Sequence, residues 1–239
     1  MSGHSKWATI KRKKGKEDEK RGKVFTKISK EITVAAKTGG GDPAGNAKLR
    51  LLIDKAKEAN MPLENISRAI KKGTGEIAGA HYEASMYEGY GPFGIAVMVE
   101  TLSDNKNRTV SDVRHIFTKM GGNLGESNSV HWMFAHKGVI TVTRDSFSED
   151  DVLERLIDYN IEDVQTRDDV LIITTAPHDL ELVKQAAKKA GFTVEEAEVE
   201  WLAKESMSFD DPEKEEKIFK FLEMLEDLDD VQNVYSNAG

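Results

Sequence analysis

Nine cationic side chains crowd 18 positions near the start of the chain: Lys6, Lys11, Arg12, Lys13, Lys14, Lys16, Lys20, Arg21 and Lys23. Side chains of this type at this density neutralise phosphate and release its condensed counterions, so the chemistry on offer is a salt-sensitive attraction to a nucleic-acid backbone. Trp7 lies within the run. Its indole suits stacking on a base or sugar, and equally suits anchoring the arm on a helical core. Lys27, Lys30, Lys37, Lys48, Lys55, Lys57, Lys71 and Lys72 continue the positive charge, while Arg50 and Arg68 carry guanidinium forks matched to phosphate. A solvated basic surface with no ligand is the competing reading of the same residues.

The 239-residue chain has a formal charge of −8, which on its own argues against a phosphate partner. That value is a cancellation. Through Gly75 there are 19 Lys and Arg against 8 Asp and Glu, a net +11, whereas the remaining 164 residues hold 15 against 34, a net −19. A basic module joined to an acidic body is thus the main organisational fact, and it concerns partners more than fold.

Other chemistries find little support. With no cysteine, disulfides, thiolate metal sites and a cysteine nucleophile are excluded. The six histidines form no H-E-x-x-H, and pairing His131 with His136 around a metal is unsupported by spacing. Gly40 and Gly45 have Walker A spacing, but Asn46 stands where the lysine is needed and the run follows a helix. The glycines of 88–94 read as a tight loop or as a phosphate-facing backbone, and Gly73-Thr74-Gly75 as a C-cap and interdomain hinge, with Gly73 the left-handed residue and backbone contact to nucleic acid the second reading. Acidic runs such as 149–151 and 227–230 read as solvated turns and helix ends. No serine sits in a G-x-S-x-G setting. No catalytic centre, metal or cofactor is therefore expected. The chain has no run approaching 18 apolar residues and no signal-peptide-like start, so no membrane association is expected.

Hydrophobic periodicity supplies the scaffold. Val24, Phe25, Ile28, Ile32, Ala35 and Ala36 recur at helical spacing and stop at Gly39-Gly40-Gly41-Asp42-Pro43. Two shorter helices follow, with Leu49, Leu52, Ile53 and Ala56 on one and Leu63, Ile66, Ala69 and Ile70 on the other, divided by Pro62. Strands are predicted at 81–86 and 95–99, a helix over Val110 to Met120, and a strand with Val130, Trp132 and Phe134 on one face. Residues 139–201 then read β-α-β-β-α-β, the ferredoxin-like order, with Ser148 and Asp151 as a capping box. A last helix near 212–225 and strand near 231–235 supply what the 81–135 segment lacks. The expected fold is α+β and multidomain: a three-helix N-terminal domain plus two ferredoxin-like α/β sandwich domains, one inserted in the other. The expected boundaries are 1–75, then 81–135 with 203–239, and 136–202 for the insert; a linear arrangement with the tail packed on the inserted domain is the alternative. The ferredoxin-like strands lack an RNP-type aromatic pattern, so sheet-based RNA recognition is not expected.

The same residues carry a family resemblance. Gly3-His4-Ser5-Lys6-Trp7, Arg21-Gly22-Lys23, Phe25-Thr26-Lys27, Glu31 to Ala36, Ala59-Asn60-Met61-Pro62, Gly73-Thr74-Gly75, Glu88-Gly89-Tyr90-Gly91-Pro92, Asn107-Arg108-Thr109, Gly121 to Gly125 and Asp230 to Tyr235 together resemble the YebC/PmpR family across nearly the whole chain. One departure is Phe93, where members often carry glycine, which leaves that loop less free to approach a ligand. The resemblance implies a helical domain and two α/β domains, one inserted in the other, in a cytoplasmic DNA-binding transcriptional regulator. It also implies kinship with a mitochondrial translational activator of a cytochrome oxidase subunit, and with bacterial factors that relieve ribosome stalling at proline-rich stretches. On that basis Lys6 to Lys23 and the Gly-rich loops are the expected contact elements, with DNA or ribosomal RNA as partner.

Overall fold

The computed structural model describes residues 21–239. Three helices come first: α1 (Arg21–Gly39), α2 (Ala47–Glu58) and α3 (Leu63–Thr74). Their apolar stripes converge, with Ile28, Ile32, Leu49, Leu52, Met61 and Ile66 buried in one cluster. Gly40, at φ 85°, turns the chain out of α1. Asn46 then ties that exit to α2: its Oδ1 accepts from the Leu49 N–H at 3.0 Å, and its Nδ2 donates to the carbonyls of Ala35 and Gly40, both at 2.9 Å. The residue that ruled out a phosphate loop is therefore an N-cap. Pro62 is the N-cap residue of α3, which begins at Leu63.

The left-handed C-cap of α3 is Gly75 at φ 81°, not Gly73. Gly73 lies inside the helix, where a Cβ would run into the Thr33 carbonyl oxygen and come within 2.7 Å of the Ala36 Cβ. Glycine there lets α3 approach α1 closely enough for the Thr33 hydroxyl to reach the Ala69 carbonyl at 3.2 Å.

The described residues form two compact units, 21–131 with Ser208–Ala238, and Trp132–Met207 with Gly239. In the first, the helices adjoin a four-stranded antiparallel sheet of β1 (Glu83–Tyr90), β2 (Ala96–Ser103), β3 (Asn123–Leu124) and β8 (Val231–Ser236), ordered β3-β1-β2-β8. Helices α4 (Lys106–Met120) and α7 (Pro212–Glu226) contribute to its core, their Phe117 and Phe221 rings meeting edge-on at 5.0 Å. The C-terminal strand pairs with β2, Val234 opposite Val99, and Asn237 Oδ1 accepts from the Ala96 N–H at 2.8 Å. The chain order here is β-β-α-β, then α-β after the intervening unit, so this sandwich shares the two-layer build of its neighbour but not its connectivity.

The second unit contains β4 (Phe134–Thr143), α5 (Glu149–Arg155), β5 (Ile161–Arg167), β6 (Val170–Thr175), α6 (Leu180–Lys189) and β7 (Val194–Ala203). Its sheet order β5-β6-β4-β7 gives this stretch the ferredoxin-like arrangement. The Ser148–Asp151 capping box forms as the spacing predicts. The expected strand through Val130, Trp132 and Phe134 does not. Residues His131–Met133 make a 3₁₀ turn, Val130 is buried, and Trp132 is 66% exposed. The buried Glu88 carboxylate accepts from the backbone N–H groups of Asn128, Val130 and His131 at 3.0, 3.1 and 2.9 Å, which leaves those donors committed to a side chain instead of a strand partner.

Helices and first sheet are joined through Asp230, beside β8. Lys30 Nζ donates to its Oδ1 at 2.8 Å; Ser103 Oγ, Arg108 Nη2 and Thr109 Oγ1 donate to Oδ2 at 3.0, 2.7 and 2.8 Å. Both side chains of the Lys30–Asp230 pair are about nine-tenths buried. Burial alone would raise the Asp230 carboxyl, but hydrogen bonds from Lys30, Arg108, Thr109 and Ser103 outweigh it and hold the group well below the usual carboxylate range. Asp230 was read from sequence as part of a solvated acidic run, and Lys30 as part of a positive surface. Packing reverses both readings.

Two predictions concern stability. Gly73→Ala gains helix propensity but must separate α1 from α3, so it should lower stability by about 1–3 kcal/mol; a raised Tm on thermal denaturation would contradict the close-approach explanation. Asp230→Asn strands the buried Lys30 ammonium and should cost about 3–5 kcal/mol. Lys30→Met should cost less, because three donors still hold the carboxylate. Since the folded-state pKa of Asp230 is depressed, its contribution is present above the unfolded carboxylate value of about 3.9 and is lost as pH falls below it. Urea titrations at falling pH should therefore show a shallower acid limb for Asp230→Asn than for the parent chain.

Candidate nucleic-acid interface

Lys6, Trp7, Lys11, Arg12, Lys13, Lys14, Lys16 and Lys20 lie outside the described residues, and Arg21 opens α1. The helical cations that follow divide into two sets. Lys23, Lys27 and Lys30 sit on α1 at intervals of three and four, so they share one face, and that face meets the C-terminal end of α7. Lys23 Nζ reaches Asp227 Oδ1 at 3.1 Å and its carbonyl at 3.2 Å; Lys27 Nζ donates to the Glu226 carbonyl at 2.9 Å; Lys30 Nζ donates to the Asp229 carbonyl at 2.8 Å. Ammonium groups here satisfy carbonyls that a helix end leaves without partners and face the negative end of its dipole. The structure thus brings Lys23 and Lys27 together, but onto the protein's own acidic segment.

The second set faces solvent. Arg50 is exposed in the first turn of α2, with Nη1 donating to the Pro43 carbonyl at 3.1 Å. Arg68 is exposed on α3, on the side away from buried Ile66 and Ala69. Lys37, Lys48, Lys71 and Lys72 are exposed as well. Lys71 and Lys72 occupy the last turn of α3, where they also complement its dipole. What this surface can do chemically is attract and fork onto phosphate oxygens.

The glycine-rich loops have structural employment. A Cβ at Gly122 would lie 2.5 Å from the Tyr90 carbonyl oxygen, and one at Gly91 would lie 2.6 Å from the Phe221 ring. These glycines allow the β1–β2 tip and the α4–β3 connection to touch backbone to backbone, the plain-loop reading of 88–94.

A cleft of about 460 Å³ lies beside the N-terminus of α4, lined by His81, Glu83, Ser103, Asp104, Asn105, Lys106 and Asn107. Its charges are matched internally: Lys106 Nζ is 2.7 Å from Glu83, and Arg108 is 3.0 Å from Asp104. The hydrogen bond and charge of Lys106 hold the Glu83 carboxyl below its ordinary value. Among the described residues no group of three His, Asp or Glu side chains is placed to hold a metal ion. His131 lies beside Glu88, and the His136 ring stacks on Trp201 at 4.6 Å. No described helix is long and apolar enough to cross a membrane.

Sequence reasoning missed Asp230 as an organising group. Its family-matching context, Asp230 to Tyr235, was the available signal, but an acidic run beside a helix end carries no mark of burial.

Comparison with known proteins places these features in context. Residues 5–76 match the TACO1/YebC protein N-terminal domain, and residues 82–238 match the TACO1/YebC second and third domain. A probable transcriptional regulatory protein of Moorella thermoacetica is 54% identical over 240 residues, covering 100% of this chain and 95% of that protein. One of the same description from Chlorobaculum tepidum is 53% identical over 238 residues, covering 99% and 94%. The crystal structure of a conserved hypothetical protein from Aquifex aeolicus superposes with a TM-score of 0.85 at 48% identity, covering 93% of this chain and 91% of that one. With both family domains matched nearly end to end and relatives at this identity, the chain belongs to the TACO1/YebC family.

Proposed function

We propose that this chain is a nucleic-acid-binding regulatory protein, acting in the cytoplasm as a DNA-binding transcriptional regulator without enzymatic chemistry. The observation that carries this reading is the segregation of charge: net +11 through Gly75 against net −19 beyond it. Phosphate is attracted to one end of such a chain and repelled from the rest, so the contact is oriented as well as favourable. The names of the relatives, probable transcriptional regulatory proteins, support the same class. The division of labour follows the three expected domains. Residues 1–75 hold the phosphate-seeking arm and helices, while 81–135 with 203–239, and 136–202, carry the acidic charge that repels the backbone. Lys6, Trp7, Lys11 to Lys14, Lys16, Lys20 and Arg21 are the proposed arm contacts, with Arg50 and Arg68 as helical forks. Lys23 and Lys27 contribute by fixing α1 to α7, where they already have partners.

The test compares the full chain, a form lacking residues 1–23, and a variant with Lys11, Arg12, Lys13 and Lys14 neutralised, each titrated with duplex DNA and with ribosomes at two salt concentrations. Neutralising four phosphate contacts should flatten the slope of log K against log salt by roughly 3–4. Unchanged binding by both altered forms would remove the arm from the interface. A translation factor binding ribosomal RNA is the second outcome: retained ribosome association with no preference for any DNA sequence would move the function there. Arg68→Gln should weaken duplex binding and flatten the slope by about 1 with Tm unchanged. Lys30→Gln should do the reverse, lowering Tm and leaving the slope intact.

A further inference from the structure

Phe93 is a bulky side chain in a backbone conformation that mostly belongs to glycine. At φ 59° and ψ 18° it sits at the tip between β1 and β2, in a turn closed by the Gly94 N–H donating to the Gly91 carbonyl at 3.2 Å. A left-handed conformation is costly for an L side chain, and a non-glycine residue held there is a signal of function when packing does not account for it. Burial does not account for it: Phe93 is 43% exposed, whereas its neighbour Pro92 is buried. One side of the ring is braced by Phe209, centroids 6.3 Å apart and planes tilted by 53°, and Phe209 in turn packs on the core of the first sheet. From α7, Lys217 Nζ and Lys214 Nζ lie over the Phe93 ring, 5.4 and 5.7 Å from its centroid. Both lysines are exposed, and the nearest carboxylate to Lys214 is that of Asp211, at 3.9 Å.

We propose that Phe93 is a stacking platform for an unpaired nucleobase, with Lys214 and Lys217 taking the phosphates that flank it. A part-exposed aromatic ring with two exposed cations over it fits a ligand that alternates a flat ring and an anion along its length, as single-stranded nucleic acid does at every residue: the flanking phosphates draw the ammonium groups aside as the base takes the face. A duplex turns its base faces inward, and an apolar protein surface would have to desolvate both ammonium groups. The platform rests on the reading of the chain as a nucleic-acid binder but lies outside the basic arm, on the otherwise acidic part of the chain.

Glycine makes the test clean, because Phe93→Gly removes the ring while relaxing the backbone. The full chain, Phe93→Gly, Phe93→Trp and the Lys214→Gln/Lys217→Gln pair would be titrated by fluorescence anisotropy against a short labelled single strand, the same strand with abasic sites, and a duplex of equal length, in RNA and DNA forms. Phe93→Gly should weaken binding of the base-bearing strand about tenfold, leave the abasic strand and the duplex unchanged, and hold or raise Tm. Phe93→Trp should restore the affinity, and the lysine pair should weaken the base-bearing and abasic strands alike. Equal single-strand binding by Phe93→Gly and the parent would overturn the platform, as would a fall in Tm accompanying the loss, which would make the ring a packing element. If the arm variants lose binding and Phe93→Gly does not, the arm reading stands and the platform falls. A full chain that binds none of the three ligands overturns both.

Discussion

The Asp230 carboxylate receives a lysine from α1, an arginine and a threonine from α4, and a serine from the end of β2. Each of those four donors belongs to an element separated by more than a hundred residues from β8, and all meet one side chain that is 8% exposed. A buried carboxylate is costly unless its lone pairs are filled. Here they are filled only if the helical module, the α4 N-terminus and the C-terminal strand occupy their places together. The interaction therefore acts less as a source of net stability than as a condition of assembly: no one of these elements can shift without taking a donor away from the buried carboxylate.

The same economy of charge runs along α1. Its lysines at 23, 27 and 30 close off the C-terminal end of α7, so the basic module's charge is spent in two directions. One face holds the module to its own acidic body, and the other, with Arg50, Arg68, Lys71 and Lys72, stays in solvent. A count of cations cannot separate these sets, because residue type carries no mark of exposure. The hydrogen-bond partners separate them, and they show that a large positive total overstates the charge available to a ligand.

Legibility in the sequence followed the range of the causes. Helix stripes, the Ser148 cap, the exit at Gly40 and the β-α-β-β-α-β order of elements rest on local residue patterns, and they were readable as such, whereas the Asn46 cap was not. Gly73 was misread because the reason for its glycine lies across an interhelical contact to Thr33, forty residues away. The strand expected at 130–134 failed for a similar reason, since the buried Glu88 carboxylate claims its backbone donors from β1. The candidate interface was half legible: residue types and their clustering were visible, whereas exposure was not.

By itself the sequence determined the charge division at Gly75, the absence of cysteine chemistry, the helical and sandwich composition of the chain, and its family, because these depend on residue identity and short-range periodicity. Tertiary structure alone decided which cations face solvent and which are neutralised, that Asp230 is an interior hub, and that Phe93 stands exposed in a left-handed turn beside two lysines. The physical reason is that burial, ion pairing and backbone strain are properties of juxtaposition. Cations alike in sequence differ in what the distant chain brings to meet them.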